Sequence, residues 1–384
     1  MKIITLFKVI KKYIRNYIYS KIASNKKITK NKIILWSYRG REYSCNPKYI
    51  TEYILKNKID FQIVWAFENP EKFLFLQNRG IKLVKYFSKD FFKELMTAHI
   101  IITNTRFGID FHKRKNQIYI QTWHGTMALK AIEKDAQNFL KKFYILNAKN
   151  DSKKIDYILS GCKMNSNIIK NSFWYNGKIL EIGNPRNDLF FERNLNKEKI
   201  LKKLKLEQRK VVLYAPTFRR DENIDAYNID FDILLESLNR KFANNYVVLT
   251  RLHPNLKGKK LFNKISNNII DVTKYDDMQE LLVASDILIT DFSSSIFDFL
   301  IMKKICLLYV SDLDEYLKKE RRLYFDIKKE LPFPIATNNE ELKNVILDFD
   351  SELYKENIEN FSKKLGIIEN GNASKNIVEL MLQL

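Results

Sequence analysis

Cysteine, histidine, glycine and proline are all scarce in this chain of 384 residues. Its three cysteines, Cys45, Cys162 and Cys306, stand far apart with no CxxC pair, so neither a disulfide framework nor a zinc site is indicated. A reduced, cytoplasmic setting is expected. Four histidines and no acidic pair at ligand spacing give no basis for a metal centre; no metal and no cofactor are expected. Asp276 and Asp277 precede a helical pattern and most simply cap it. Ten glycines and seven prolines imply short loops without a flexible linker. Glycine-rich phosphate loops of the G-x-G-x-x-G or Walker type are missing, which argues against dinucleotide and P-loop chemistry.

Acidic residues are also short, 45 against 67 Lys plus Arg, for a formal charge of +22. Such a surplus attracts nucleic acid, anionic lipid or phosphorylated substrates, and composition does not choose among them. Residues 1–32 carry ten Lys/Arg and no acid. Ile3, Phe7, Ile10, Ile14, Tyr17 and Ile18 recur there at helical spacing, which describes a basic amphipathic helix. Charge interrupts the segment too often for a bilayer span of ~20 apolar residues, and no signal-peptide core follows the first lysines. The segment is expected to lie on an anionic membrane surface; the alternative is a helix whose apolar face packs on the body.

What the chain does have is apolar strand runs alternating with helical or loop segments. Runs at 33–36, 63–67, 81–84, 100–102, 118–120, 157–159 and 179–182 describe one doubly wound α/β domain, expected over 33–195. After a charged connection at 192–210, runs at 211–214, 247–250, 269–272, 287–290 and 305–310 describe a second, over 205–345. The last forty residues read as helices returning across the domain junction, with 346–384 as their span. Two such domains in tandem predict a cleft at the carboxyl ends of their strands.

Chemistry collects at those strand ends. The stretch from Thr273 to Val310 reads as helix, strand, polar turn, helix and strand. Its turn presents Asp291, Ser293, Ser294 and Ser295 beside a helix amino end, where free N–H groups and hydroxyls suit phosphate; an ordinary helix cap is the plainer reading. Trp123, His124 and Gly125 follow a buried strand, and a histidine there suits a general base. Arg251, His253 and Pro254 end a strand of the second domain in the same way. Pro216, Thr217, Arg219 and Arg220 end a third, where guanidinium groups suit phosphate and one arginine is expected to be merely solvated. Gly183, Asn184, Pro185, Arg186, Asn187 and Asp188 form a polar turn in which Arg186 faces the cleft or the turn is purely structural. His99 reads as an edge residue and His112 as a surface one.

TWHGT, YAPTFR, RLHP and SDILITDFSSSIFDF, in this order and spacing, resemble the CDP-glycerol glycerophosphotransferase family of teichoic-acid primases, polymerases and capsule relatives. SGCKMN, GNPRND and RRLYFD (Arg321 to Asp326) extend the likeness across most of 32–345, although Arg322 and Leu323 stand where the family pattern has a glycine and an aromatic residue. The resemblance implies a GT-B-like fold of two Rossmann-like domains facing across a cleft. It also implies a CDP-alcohol donor in the second domain, a lipid-linked acceptor in the first, and transfer of glycerol phosphate or ribitol phosphate with release of CMP. In that scheme His124 is the base, His253 and Arg219 meet the reacting phosphates, and Ser293 and Ser294 hold the diphosphate. Trp123, Gly125, Arg186, Asp188, Pro216, Thr217, Arg251, Asp291 and Ser295 complete the candidate substrate contacts. The enzyme would work at the cytoplasmic face of the cell membrane as a peripheral protein. A nucleotide-sugar GT-B transferase is the alternative. A nucleic-acid-binding protein fits the charge but has no recognition motif.

Overall fold

The computed structural model describes residues 14–107, 111–219, 225–252 and 267–384. The chain forms two compact units: Met1–His124, Ile132–Asp188 and Ile368–Leu384 make the first, Gly125–Ala131 and Leu189–Ile367 the second. Each is built on a parallel sheet.

The first unit's seven strands run in the order β3-β2-β1-β4-β5-β6-β7. They are β1 (Thr29–Trp36), β2 (Gln62–Phe67), β3 (Lys82–Lys85), β4 (Ala98–Thr103), β5 (Ile118–Gln121), β6 (Tyr157–Leu159) and β7 (Lys178–Leu180). Their apolar runs are continuous because helices cover both faces of a parallel sheet. On β1 the alternation is direct: Ile34 and Trp36 join one core with Phe91, Phe107 and Tyr119, while Ile33 and Leu35 join the other with Ile50, Trp65 and Phe67. That second core is completed by the last helix of the chain, α14 (Ala373–Gln383), through Ile377, Val378 and Met381. The remaining helices of this unit are α1 (helical over 14–23), α2 (Cys45–Lys56), α3 (Lys89–Thr97), α4 (Lys142–Ser152) and α5 (Lys163–Ser172).

The second unit's sheet follows the order β10-β9-β8-β11-β12-β13. Its strands are β8 (Lys210–Tyr214), β9 (Tyr246–Thr250), β10 (Ile269–Asp271), β11 (Ile287–Thr290), β12 (Ile305–Tyr309) and β13 (Ile335–Ala336). Helices α6 (Arg193–Leu204), α7 (Phe231–Phe242), α8 (Met278–Ala284), α9 (Ser295–Ile301), α10 (Leu313–Lys319), α11 (Ile327–Glu330), α12 (Asn339–Leu347) and α13 (Ser351–Leu365) belong to it. In both sheets the winding reverses beside the first strand, between β1 and β4 and between β8 and β11. Open α/β sheets bind ligands in the crevice at such a reversal.

The structure departs from the sequence reading in several places. β1 starts at Thr29, and Ala23 with Tyr19 already packs on the first unit's core, so the basic segment is not separate as far as residue 32. Within 14–23 Ile14, Tyr17, Ile18 and Ile22 are exposed while Asn16 and Ser20 are buried; residues 1–13, with Ile3, Phe7 and Ile10, lie outside the described residues. The expected charged connection at 192–210 is largely α6, held by Ile200 and Leu201 in the core and by Lys197 to Asp286 at 2.7 Å. β7 ends at Leu180 rather than Ile182, and the two-residue β13 gave no periodic signal. Among the described residues no helix is long and apolar enough to cross a membrane.

Because Ile377 is wholly buried under the first sheet, Ile377→Ala is expected to lower the unfolding free energy by about 2–5 kcal/mol. Urea unfolding followed by circular dichroism measures it, and an unchanged midpoint would show that α14 is not part of that core.

Candidate active site

In the first unit the carboxyl ends of β1, β4 and β5 bring together Tyr38, Asn104, Trp123 and His124. Tyr38, Arg39 and Gly40 after β1 all have positive φ (45°, 62° and 84°). Gly40 is required there, since a Cβ would lie 3.0 Å from the Glu68 nitrogen and 3.1 Å from the Ala66 oxygen. This turn lets the Tyr38 N–H donate to Asn104 Oδ1 at 2.8 Å and sets the Tyr38 ring edge-on to the His124 imidazole, 5.9 Å between centroids. Burial pushes the Tyr38 phenol well above its ordinary pKa.

Trp123 also has positive φ, 50°, a strained setting for a bulky residue. Its N–H donates to Gln121 Oε1 at 3.0 Å and its ring packs edge-on against Phe173 at 4.8 Å. The Asn46 amide donates to the carbonyls of Thr122 and Trp123 at 3.1 and 3.2 Å. The strain turns His124 so that its Nδ1 lies 2.7 Å from the Asn104 carbonyl. A carbonyl only accepts, so Nδ1 carries the proton and the neutral ring has its lone pair on Nε2.

The polar turn after β7 is held from far along the chain. Glu369 accepts from the Asn184 N–H (2.9 Å) and from the side-chain amides of Asn184 (2.7 Å) and Asn187 (2.9 Å). Arg186 is buried, its N–H on Asn46 Oδ1 at 3.0 Å and its Nη1 3.7 Å from Cys45 Sγ. Asp188, expected to touch substrate, instead accepts from the Ala373 and Ser374 N–H groups at 3.0 and 2.7 Å. A carboxylate on two amides at a helix start is a cap.

In the second unit the ends of β8 and β11 meet. The Asp291 carboxylate accepts from the N–H of Thr217 (2.9 and 3.1 Å) and of Phe292 (2.6 Å), and pairs with Arg219 Nη2 at 2.8 Å. Arg219 also donates to Asp312 through Nε (2.6 Å) and Nη2 (2.9 Å), and through Nη1 to the Thr217 carbonyl and hydroxyl, both 2.8 Å. Its guanidinium sits 5.0 Å from the Phe292 ring and 4.9 Å from the Tyr316 ring. Burial disfavours the charge, but Asp312 and Asp291 outweigh it and raise the pKa. The expected phosphate arginine is thus committed to two carboxylates, and Asp291 to backbone and Arg219. Both hold the turn together.

Ser293, Ser294 and Ser295 are half-buried at the start of α9. The Ser293 and Ser295 hydroxyls lie 2.9 Å apart, and Ser294 Oγ accepts from the Leu129 N–H at 3.4 Å. Leu129 comes from Gly125–Ala131, the segment directly after His124. It is fastened to this unit at Thr126, whose hydroxyl and N–H reach Asp298 Oδ1 at 2.7 and 3.3 Å, while Gln279 Nε2 holds Asp298 Oδ2 at 2.9 Å. Further along, the Tyr324 N–H donates to the Leu129 carbonyl at 2.9 Å and the Ala131 N–H to the Arg322 carbonyl at 2.8 Å, so the RRLYFD loop pairs with the segment through its backbone. The departure at Arg322 and Leu323 does not disturb that pairing.

Pro216 and Thr217 stand in the turn after β8, and Arg251 follows β9 with its N–H on the Tyr214 carbonyl at 2.9 Å. His253, Pro254 and Arg220 lie outside the described residues. Sequence reasoning missed Asn46, Asn104, Lys130, Asp298, Asp312, Tyr316 and Glu369, most of which act across long sequence separations. Two had a local signal: Asp298 lies within SDILITDFSSSIFDF, and Lys130 follows TWHGT by four positions. Among the described residues no group of three or more His, Cys, Asp and Glu could hold a metal ion.

A family model described as CDP-Glycerol:Poly(glycerophosphate) glycerophosphotransferase matches residues 18–383. A teichoic acid glycerol-phosphate transferase of Staphylococcus aureus is 34% identical over 97% of this chain and 99% of its own length. A teichoic acid poly(glycerol phosphate) polymerase of Bacillus spizizenii is 32% identical over 91% of each. Two structures of the wall teichoic acid polymerase TagF, the second soaked with CDPG, superpose with TM-scores of 0.84 and 0.81. Both are 30% identical and align over 99% of this chain and 95% of theirs.

If Arg219 holds the turn rather than a ligand, Arg219→Met is expected to destabilise the ligand-free protein by roughly 3–5 kcal/mol, as removal of one buried partner does. Chemical denaturation without nucleotide measures this. A loss within about 0.5 kcal/mol, typical of a surface change, would return Arg219 to ligand binding.

Proposed function

The chain belongs to the CDP-glycerol:poly(glycerophosphate) glycerophosphotransferase family, and from that premise we propose that it transfers glycerol phosphate from CDP-glycerol to a hydroxyl of a lipid-linked acceptor in cell-surface polymer synthesis. The acceptor oxygen attacks the phosphorus that carries glycerol, the bond from that phosphorus to the bridging oxygen breaks, and CMP departs. The hydroxyl proton goes to Nε2 of His124. In this reading the acceptor binds the first unit and the donor the second.

The observation that carries the assignment is the 2.7 Å contact from His124 Nδ1 to the Asn104 carbonyl, which orients the ring and puts the basic lone pair on Nε2 at the first sheet's reversal. The Ser293–Ser295 turn, at the second sheet's reversal, offers hydroxyls for the diphosphate. Leu129, whose N–H is bonded to Ser294, follows His124 by five positions in the chain. His253 is assigned to the departing phosphate from its place after β9. Arg219 takes no part beyond keeping Asp291 and Thr217 in position. The CDPG-soaked TagF relative supports CDP-glycerol as the donor.

We place the enzyme on the cytoplasmic face of the membrane. Ile14, Tyr17, Ile18 and Ile22 are 56%, 62%, 47% and 62% exposed on α1, among lysines and arginines that anionic headgroups attract.

His124→Ala is expected to reduce CMP release from CDP-glycerol in the presence of acceptor by ~10² to 10⁴, with folding unchanged; turnover near that of the wild type would remove the histidine from the chemistry. Replacing Ile14, Tyr17, Ile18 and Ile22 together by Ser is expected to abolish most sedimentation with anionic lipid vesicles. Equal sedimentation of variant and wild type would contradict the membrane assignment.

A further inference from the structure

The second unit raises an electrostatic question. A donor diphosphate brings two negative charges to a turn whose evident cation, Arg219, is already neutralised by Asp291 and Asp312. Serine hydroxyls and N–H groups at the start of a helix as short as α9 do not by themselves balance that charge.

We propose that Lys130 is the cation that binds the diphosphate of the nucleotide donor, its ammonium carried to the serine turn by the segment that follows His124. This rests on reading the second unit as the donor unit. Four observations support it.

The backbone at Lys130 is held on both sides. Leu129 donates to Ser294 Oγ and accepts from Tyr324, Ala131 donates to Arg322, and Lys130 itself pairs antiparallel with Leu323. The side chain therefore starts from a defined place one residue from the serine contact.

Its Nζ lies 5.2 Å from the centroid of the Tyr316 ring. Tyr316 in turn stacks on Phe292 at 3.6 Å and 9° between planes, and Phe292 stands between Asp291 and Ser293. Lys130 and Arg219 thus share one aromatic ring, and that ring leads into the phosphate turn. Arg219 is saturated with carboxylates, whereas Lys130 forms no ion pair among the described residues.

Lys130 is also half-buried, an expensive place for an ammonium without an anion. The charged groups facing it are Asp291 after β11, Arg219 after β8, and Glu320 and Arg321 after α10, with the Tyr316 phenol beside it. Burial is the largest influence and pulls the amine down to about 8; Asp291 and Glu320 oppose the shift, and Arg321 and Arg219 add to it. A diphosphate arriving here would restore the proton-holding power of the amine.

The sign of the pH effect follows. Below about pH 8 Lys130 is charged and ready; above it the empty site loses its proton, and ligand binding must take one up. The diphosphate of CDP-glycerol is a diester and stays ionised throughout, so its affinity reports Lys130 without titrating itself.

The test is calorimetric binding of CDP-glycerol and of CDP, without acceptor, to the full-length protein and to Lys130→Gln and Lys130→Arg at pH values from about 7 to about 9.5. The wild type is expected to lose affinity by about tenfold per pH unit above about 8. Lys130→Gln is expected to bind about 10- to 100-fold more weakly at pH 7, a loss typical of a charge-assisted contact, with little further loss at high pH. Lys130→Arg is expected to recover affinity at pH 7 and to hold it to higher pH, a rescue that a merely disturbed fold would not show. Equal affinity of wild type and Lys130→Gln, with the same pH dependence, overturns the proposal, and so does failure of the wild type to bind either nucleotide. If the wild type binds CDP through Lys130 but does not turn over CDP-glycerol, the reaction assigned above fails and this site stands. If turnover is intact while Lys130→Gln keeps full affinity, the reverse holds.

Discussion

The fastening of Gly125–Ala131 to the second unit is the constraint on which the rest of the site depends. The chain leaves the first unit directly after His124, and within two residues Thr126 is bonded to a buried carboxylate, Asp298, in the second. Three residues later Leu129 meets Ser294, and the RRLYFD loop closes over the other side of the segment. The stretch of chain that directly follows His124 is thus packed against the serine turn.

A second regularity concerns the acids. Asp188, Asp291, Asp298 and Glu369 all stand near candidate ligand turns, and each is bound by N–H groups, amides, a hydroxyl or Arg219. Carboxylates beside a site for a polyanion would repel it if left unpaired. Held this way they fix the turns and lose much of their repulsion. The basic surplus of the chain has a parallel role: its lysines supply attraction, while Arg219, buried at the second unit's turn between Asp291 and Asp312, serves as framework.

The sheets were legible because parallel strands are buried on both faces and show as unbroken apolar runs. Tyr157–Leu159 and Ile287–Thr290 have the bounds the runs predict, and β1 extends beyond its run only at the polar residues Thr29 to Lys32. Asp277 caps α8 as its position suggests, accepting from the Gln279 N–H at 3.0 Å. Strand-end placement of His124, Thr217, Asp291 and the serines followed from the same pattern. What local pattern could not show is pairing at a distance: Glu369 on Asn184 and Asp188 on α14 each span 185 residues or more. For the same reason the sequence suggested Arg219 and Asp188 as ligand contacts, since a polar residue at a strand end looks identical whether its partner is substrate or framework. α6 was read as a connection because its lysines hide the buried Ile200 and Leu201.

Phosphoryl transfer with CMP as the leaving group is read out by the mass of the product. The wild-type protein would be incubated with CDP-glycerol and a lipid-linked disaccharide, alongside CDP-ribitol and UDP-sugar controls. An acceptor heavier by whole glycerol phosphate units is expected, with one CMP released for each unit added. An acceptor that gains a sugar from a UDP donor, or CMP released with no change in acceptor mass, would contradict it.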